Sequence, residues 1–167
     1  YYLELSEYQG NFYAVVGASS GKDEFYVFRN PRVVVSQKDQ QSLFTRTIRL
    51  DGANQLSLSD NARFIATEND SKFAVYDIEE DKLFKYELDK KYKSVVSHDW
   101  MDGHRIIVQA EGKVLVFDFD GSNQQYFFNT VAGYQIGFNS EYSNIDGLVK
   151  DDSKLPYAIK TFDLIVD

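Results

Sequence analysis

An internal repeat is the feature that most constrains the fold of this chain. Residues 56–86 and 97–128 have the same order of turns and apolar runs, with Asp60 aligned to Asp102 at an offset of 42 residues. Looser copies of the unit precede and follow this pair. A repeat of this length indicates one supersecondary unit that is used several times to build the domain.

Each copy of the unit reads as a group of short strands. Residues 73–78 are apolar on both faces, which predicts a strand covered on both sides. Residues 83–88 alternate, which predicts one buried face. No segment has the 3.6-residue periodicity of a helix. Further strands are predicted at 2–5, 12–16, 24–28, 32–35, 44–50, 56–59, 63–67, 134–138, 148–149, 156–159 and 162–166.

Glycine, asparagine and aspartate separate these strands, because they adopt the backbone conformations that turns require. The pair at 10–11 (Gly-Asn) predicts a turn, 102–103 (Asp-Gly) a two-residue hairpin, and 146–147 (Asp-Gly) another turn. Residues 17–23 and 68–71 are predicted loops. The remaining turns are predicted at 60–61, 79–81 and 120–123.

Composition favours a β fold and argues against several partners. Aromatic residues make up 16% of the chain, and the 13 Phe and 12 Tyr suit pleated, half-buried surfaces. The net charge of −8, with no basic stripe, argues against a nucleic-acid partner and against anionic membrane surfaces. Cysteine is absent, so disulfides and thiolate metal sites are excluded. No apolar window is long enough to insert into a membrane.

With the turns placed, the repeats resemble the blades of TolB and WD40-like β-propellers. Such blades typically read Ser-x-Asp-Gly, then a basic residue before an apolar run, then Val-Tyr-Asp and a Gly turn. The resemblance implies a β-propeller fold and no particular activity. The Gly-His and Trp-Asp pairs of the strict WD40 repeat are missing, and residues 98–100 (His-Asp-Trp) are in the wrong place to supply them. The matching residues are Ser59-Asp60-Asn61, Val75-Tyr76-Asp77, Asp102-Gly103, Val116-Phe117-Asp118 and Asp120-Gly121.

We therefore predict one all-β, propeller-like domain over residues 1–167, with about four antiparallel blades. Four units form either a compact ring or an arc of a larger propeller. An arc leaves apolar blade faces open at both ends, where it self-associates or meets further blades. The chain begins at Tyr1 without an initiator methionine, so we expect a piece of a longer protein. The approximate blades are 1–52, 53–93, 94–132 and 133–167.

Three patterns could carry chemistry, and each has a structural explanation. Residues 118–121 (Asp-x-Asp-Gly) resemble half of a calcium loop, but the further ligands do not follow. Residues 97–99 (Ser-His-Asp) contain a possible base, but no nucleophile elbow accompanies them. Residues 17–22 lack the spacing of a phosphate-binding loop. We predict no catalytic residue, no metal site and no cofactor.

Aromatic residues near turns and links are candidates for ligand binding, because exposed rings stack on sugars or peptide side chains. We expect these residues to lie outside the core. They are Tyr8, Tyr92, Trp100 and Tyr142.

The favoured hypothesis is a non-enzymatic interaction module that binds a protein or a glycan. One alternative is a propeller segment of a hydrolase or lyase whose active site lies outside this chain. Another is a structural cell-surface protein. The acidic, cysteine-free composition, rich in Asn and Tyr, favours a bacterial extracytoplasmic or cell-surface location, with a cytoplasmic location left open.

Overall fold

Fifteen strands form four antiparallel sheets in the computed structural model, which describes residues 1–18, 23–31, 44–92, 95–139, 143–151 and 156–164. Within each sheet, strands that follow one another in the chain are hydrogen-bonded neighbours. Sheet 1 contains β1 (Tyr2–Tyr8), β2 (Asn11–Ala18), β3 (Glu24–Arg29) and β4 (Arg46–Arg49). Sheet 2 contains β5 (Gln55–Leu58), β6 (Phe64–Asn69), β7 (Lys72–Asp77) and β8 (Lys82–Glu87).

The second half of the chain repeats this arrangement with one strand fewer. Sheet 3 contains β9 (Val95–Trp100), β10 (Arg105–Ala110), β11 (Lys113–Asp118) and β12 (Gln125–Asn129). Sheet 4 contains β13 (Gly137–Phe138), β14 (Asn144–Lys150) and β15 (Tyr157–Asp163). The predicted all-β class with antiparallel sheets is confirmed.

The chain divides into two compact units, Tyr1–Glu87 with sheets 1 and 2 and Leu88–Asp167 with sheets 3 and 4. The blade boundaries and the union of all four sheets in one domain stay predictions. The predicted strand at 32–35 lies outside the described residues.

In the first unit, one face of sheet 1 packs on one face of sheet 2. Side chains alternate along a strand, so the cross-strand partners Val15 and Val27 share a face, and both are fully buried. Ala74 and Tyr76 of β7 face them from sheet 2. Burial of each large apolar side chain contributes about 1.5–3 kcal/mol. This core consists of Tyr13, Val15, Phe25, Val27, Ile48, Ala53, Ile65, Ala74 and Tyr76.

Strand β7 confirms the prediction of a strand covered on both faces. After the exposed Lys72, every residue through Asp77 is buried. The next strand, β8, has half-buried Phe84 and Tyr86 separated by exposed Lys85, as its alternating pattern predicted. The apolar pattern of the sequence therefore distinguishes β7, a central strand of sheet 2, from β8, an outer strand.

In the second unit, sheet 4 packs on sheet 3 through aromatic rings. The rings of Phe128 in β12 and Phe162 in β15 are stacked, with centroids 3.8 Å apart and an interplanar angle of 14°. Ile145 of β14 is fully buried in the same core. The core consists of Met101, Ile107, Val114, Val116, Phe128, Ile145 and Leu164.

The predicted turn at Asp146-Gly147 is wrong. Both residues lie inside β14, where they pair with Thr161 and Lys160 of β15. A Cβ atom added to Gly147 would lie only 2.7 Å from Cε2 of Phe128. Glycine is therefore required here because a ring approaches the backbone closely, which is one of the roles of glycine in strands.

Other boundaries shift by a few residues. The turn after β1 is Gln9–Gly10, with φ of 48° and 73°, rather than 10–11, and it has the two left-handed residues of a type I′ turn. Strand β2 continues through Ala18 and β6 through Asn69, so the predicted loops at 17–23 and 68–71 are too long. Four residues, 101–104, connect β9 to β10, so the predicted two-residue hairpin is also wrong. The predicted strands at 156–159 and 162–166 form one strand through Asp163.

Candidate functional site

Sheet 1 buries one face against sheet 2 and exposes apolar side chains on the other. The register pairs Leu3 with Val16 and Leu5 with Ala14, so these side chains point away from the core that contains Val15. Leu5 is 71% exposed and Leu3 62% exposed. We call this surface the open face of sheet 1. It is formed by Leu3, Leu5, Phe12, Ala14, Val16, Tyr26 and Phe28, with Phe44 packed beside the last two.

A groove of about 550 Å³ lies at one end of the open face. Phe12, which is 61% exposed, and Leu5 give it an apolar wall. Glu7 is the one acidic side chain among its lining residues. Exposed contiguous apolar surface in a soluble protein commonly marks an interaction site. The groove is lined by Leu5, Ser6, Glu7, Phe12, Tyr13, Asn30 and Pro31.

A network of asparagine side chains holds the rim of the groove. The backbone amide of Phe12 donates to Oδ1 of Asn30 at 3.0 Å, and the Asn30 backbone amide donates to the Phe12 carbonyl at 2.6 Å. Oδ1 of Asn11 accepts bonds from Nδ2 of Asn30 at 3.1 Å and from Nε of Arg29 at 3.0 Å. The hairpin end that presents Phe12 is thus fixed by four hydrogen bonds, which lowers the ordering cost of binding there.

An ion-pair cluster joins sheets 1 and 2 beside Tyr8. Arg63 donates two bonds to the carboxylate of Asp77, at 3.0 and 2.8 Å, and its Nη1 lies 2.6 Å from Oε2 of Glu79. The Tyr8 hydroxyl donates to the same Glu79 oxygen at 2.9 Å. Burial and this bond to Glu79 raise the pKa of Tyr8.

The buried carboxylate of this cluster is held ionised. Burial of Asp77 acts to raise its pKa. The bonds from Arg63 and from the backbone amides of Glu80 and Glu79 outweigh burial, so the pKa of Asp77 lies below its ordinary value. These bonds are internal to the fold, and the cluster fastens the turn after β7 rather than presenting a reactive group.

A smaller cavity, of about 150 Å³, lies beside residues 97–99. Successive residues of β9 point to opposite faces, so Ser97 and Asp99 lie on one face and His98 on the other. Oδ1 of Asp99 accepts the backbone amide of Trp100 at 2.8 Å, and the Ser97 hydroxyl lies 3.5 Å from Oε1 of Gln109. The three residues therefore do not form a nucleophile–base pair.

The motif at residues 118–121, which resembles half of a calcium loop, lies at a turn, as predicted. The backbone amide of Ser122 donates to Oδ1 of Asp120 at 2.9 Å, and the amide of Gly121 donates to the Asp118 carbonyl at 2.8 Å. The bonds from Ser122 lower the pKa of Asp120. Over the part of the chain that the structure describes, no group of three or more His, Asp or Glu side chains is placed to hold a metal ion. In that same part, no helix is long and apolar enough to cross a membrane.

Two of the four aromatic residues predicted to bind a ligand are buried. Trp100 is 2% exposed and Tyr92 7% exposed, so the expectation that they lie outside the core is wrong. Tyr92 lies beneath the ammonium groups of Lys91 and Lys113, at 4.9 and 5.8 Å from its ring centroid. Tyr8 is half-buried on the core side of sheet 1. Tyr142 lies outside the described residues.

The residues of the open face were not predicted from the sequence, although their apolar pattern is visible in it. The run from Phe12 to Val16 is apolar at every position, as expected for a strand covered on both faces. Leu3 and Leu5 extend the same face onto β1. The pattern indicates two covered faces, whereas within this chain the structure covers one.

No protein-family model matches this chain, and no curated protein matches it either. The chain is similar to many solved structures, among them the following two. The N-terminal domain of Nup159, a β-propeller, has a TM-score of 0.57 at 10% identity, over 91% of this chain and 41% of that one. Hydrazine synthase of Kuenenia stuttgartiensis has a TM-score of 0.52 at 10% identity, over 90% of this chain and 42% of that one.

These similarities concern the fold alone. Together with the four antiparallel sheets, they show that this chain has a β-propeller-like all-β fold. The chain spans about two fifths of the length of either structure.

Proposed function

We propose that this chain is a non-enzymatic binding module of β-propeller type that recognises an apolar segment of a protein through the open face of sheet 1. The observation that carries the proposal is the exposure of Leu3, Leu5 and Phe12 on one continuous sheet face. Apolar residues at such a face lose contact with water when a partner binds, at roughly 25 cal/mol per Å² of buried apolar surface.

A protein partner fits this surface better than a glycan. Sugar sites combine an exposed aromatic ring with several polar groups that bind hydroxyls, whereas the groove has apolar walls and Glu7 as its one acidic lining group. Trp100 and Tyr92, two of the aromatic residues predicted to bind a ligand, are buried. We propose further that the sheets are blades of the TolB and WD40-like type, which the Asp-Gly and Val-Tyr-Asp motifs support.

The test is a selection for binding peptides. A displayed library of random peptides is selected on the immobilised chain, and the enriched peptides are then measured against three proteins. These are the unchanged chain, Phe12→Glu on the open face, and Tyr134→Glu as a matched control. Tyr134 is exposed to a similar extent as Phe12 but lies outside sheet 1, in the link between β12 and β13.

We expect peptides rich in apolar residues that bind the unchanged chain and the control equally. Their affinity for Phe12→Glu should be lower by about tenfold or more, because a charge would be buried against the apolar segment. Peptides that bind all three proteins equally, or a selection without enrichment, would contradict the proposal. So would a saturable hydrolase or lyase activity that one loop substitution abolishes.

The location of the protein is a separate proposal. We propose an extracytoplasmic or cell-surface location in a bacterium, which the acidic, cysteine-free composition supports. Reading the coding sequence upstream of this chain tests it, and a gene without an export signal would contradict it.

A further inference from the structure

We propose that the open face of sheet 1 is covered by sheet 4 of a second copy of this chain. The inference rests on the proposed function, because it names the protein that the open face binds. It starts from a second apolar surface, which lies at the other end of the chain.

Sheet 4 also has one covered face and one exposed face. The register pairs Ile145 with Phe162 on the covered side, where both contact the core of the second unit. On the other side it pairs Leu148 with Ile159, and Ile159 is 76% exposed. Tyr157, which is 49% exposed, lies on the same side. Asp146, Lys150 and Thr161 lie on this side as well. We call its apolar part, Leu148, Tyr157 and Ile159, the open face of sheet 4.

The sheets of this chain already pack in the way that the proposal requires. Sheet 1 packs on sheet 2 through alternate residues such as Val15 and Val27, and sheet 3 packs on sheet 4 through residues such as Phe128. Sheet 1 and sheet 4 each use one face in this way and leave the other in water. Leu5 and Ile159, which lie on the outer strands β1 and β15, are apolar like the residues that the covered faces bury.

When sheet 4 of one copy packs on sheet 1 of the other, both open faces are covered by the same type of contact. It is heterologous, since different surfaces of the two copies meet, and such contacts give closed assemblies when the rotation closes. Two copies together have eight described sheets, which is within the usual range of propellers. The chain alone spans about two fifths of the similar β-propeller, the N-terminal domain of Nup159.

The first measurement is the mass of the full chain by light scattering after size exclusion, over a wide range of concentrations. We expect twice the 19.2 kDa of one chain at high concentration. Leu5→Glu and Ile159→Glu should each shift the mass to that of a single chain. Leu3→Glu should behave as Leu5→Glu, and Tyr134→Glu should remain a dimer. Circular dichroism confirms that each variant keeps its fold.

The decisive step mixes the two monomeric variants. Leu5→Glu retains an intact open face of sheet 4, and Ile159→Glu retains an intact open face of sheet 1. We expect an equimolar mixture to form dimers through the single intact contact, at a higher concentration than the unchanged chain needs. Neither variant should dimerise by itself at that concentration.

Three results would overturn the proposal. The first is a single-chain mass at every concentration. The second is an Ile159→Glu variant that dimerises like the unchanged chain while Leu5→Glu does not, because the open face of sheet 1 then pairs with itself. The third is a mixture that stays monomeric. Because a dimer would cover the open face of sheet 1, the peptide selection and the binding measurements are repeated with Ile159→Glu, in which that face is unobstructed, and their failure there is what counts against the proposed function. Failure of the dimer and failure of the proposed function then give different results.

Discussion

Gly147 of β14 lies beneath the ring of Phe128, so closely that a Cβ atom on the glycine would be 2.7 Å from Cε2 of the ring. The same ring is stacked on Phe162, with 3.8 Å between the centroids, which restricts its movement. Gly17 of β2 also lies close to a ring, that of its cross-strand partner Phe25, and a Cβ atom on Gly17 would overlap Cδ1 of that ring. Glycine therefore allows a close aromatic contact in both units.

We expect Gly147→Ala to lower the free energy of unfolding by about 1–3 kcal/mol, because the added methyl group overpacks the aromatic core. Urea unfolding followed by circular dichroism measures the change. Gly137→Ala is the matched control, since Gly137 is also in a strand of sheet 4 and a Cβ there meets nothing within 4 Å. Equal stabilities of the two variants would show that the ring moves without cost.

The buried Asp77 predicts a pH-dependent contribution to stability. Its pKa is lower in the folded protein than its ordinary value of 3.8, so the unfolded chain takes up a proton first as the pH falls. The contribution of the ionised form is therefore complete above pH 3.8 and is lost as the pH falls through the folded pKa. Asp77→Asn removes the ionised group.

We expect Asp77→Asn to cost about 1–3 kcal/mol at neutral pH, where its charged bonds with Arg63 are lost. The difference from the unchanged chain should shrink as the pH falls below 3.8, because protonated Asp77 resembles asparagine. Urea unfolding at a series of pH values measures both curves. Glu87→Gln, at an exposed position of β8, should change stability by about 0.5 kcal/mol or less. A difference that does not vary with pH would contradict the assignment.

Tyr76 predicts an effect at the alkaline end. Burial, together with the hydrogen bond from its hydroxyl to Asp81 at 2.9 Å, raises its pKa to about 12. The neutral form is favoured by folding, so this contribution is present below pH 10.0 and is lost as the pH rises towards 12. Ultraviolet absorbance of the folded chain should therefore show a tyrosine ionisation near pH 12 that the unfolded chain lacks.

Tyr76→Phe should remove this late step and lower the free energy of unfolding by about 0.5–1.5 kcal/mol, the usual range for one hydrogen bond. Tyr126→Phe is the control, because Tyr126 is 52% exposed on β12. A late step that persists in Tyr76→Phe would assign the raised pKa to another tyrosine.

Strands were predicted well from the sequence where the burial of a strand follows from its own apolar pattern. β7 is apolar at nearly every position and is covered on both faces. Prediction from the sequence failed where one residue type has two structural roles. Asp146-Gly147 has the composition of a turn, but glycine also permits the approach of Phe128, and this contact joins residues from different sheets.

The open face of sheet 1 illustrates the second limit. Phe12 and Val16 on one face of β2 are as apolar as Val15 on the other, a pattern that is typical of strands covered on both faces. Which face is left in water depends on the sheets available to pack on it. The local pattern does not contain that information, and only the register and the burial of each residue reveal it.

Trp100 provides the last prediction, because it is the single tryptophan of the chain and reports on its surroundings. It ends β9, pairs with Ile106 of β10 and is 2% exposed. We expect its fluorescence emission to be shifted to shorter wavelength and to be quenched by acrylamide far less than in the urea-unfolded chain. Trp100→Ala should cost about 3–5 kcal/mol, as for other buried aromatic residues. If Trp100 were instead exposed and able to stack on a sugar, its fluorescence would be quenched as readily in the folded chain as in the unfolded chain. Its replacement would then leave the free energy of unfolding nearly unchanged.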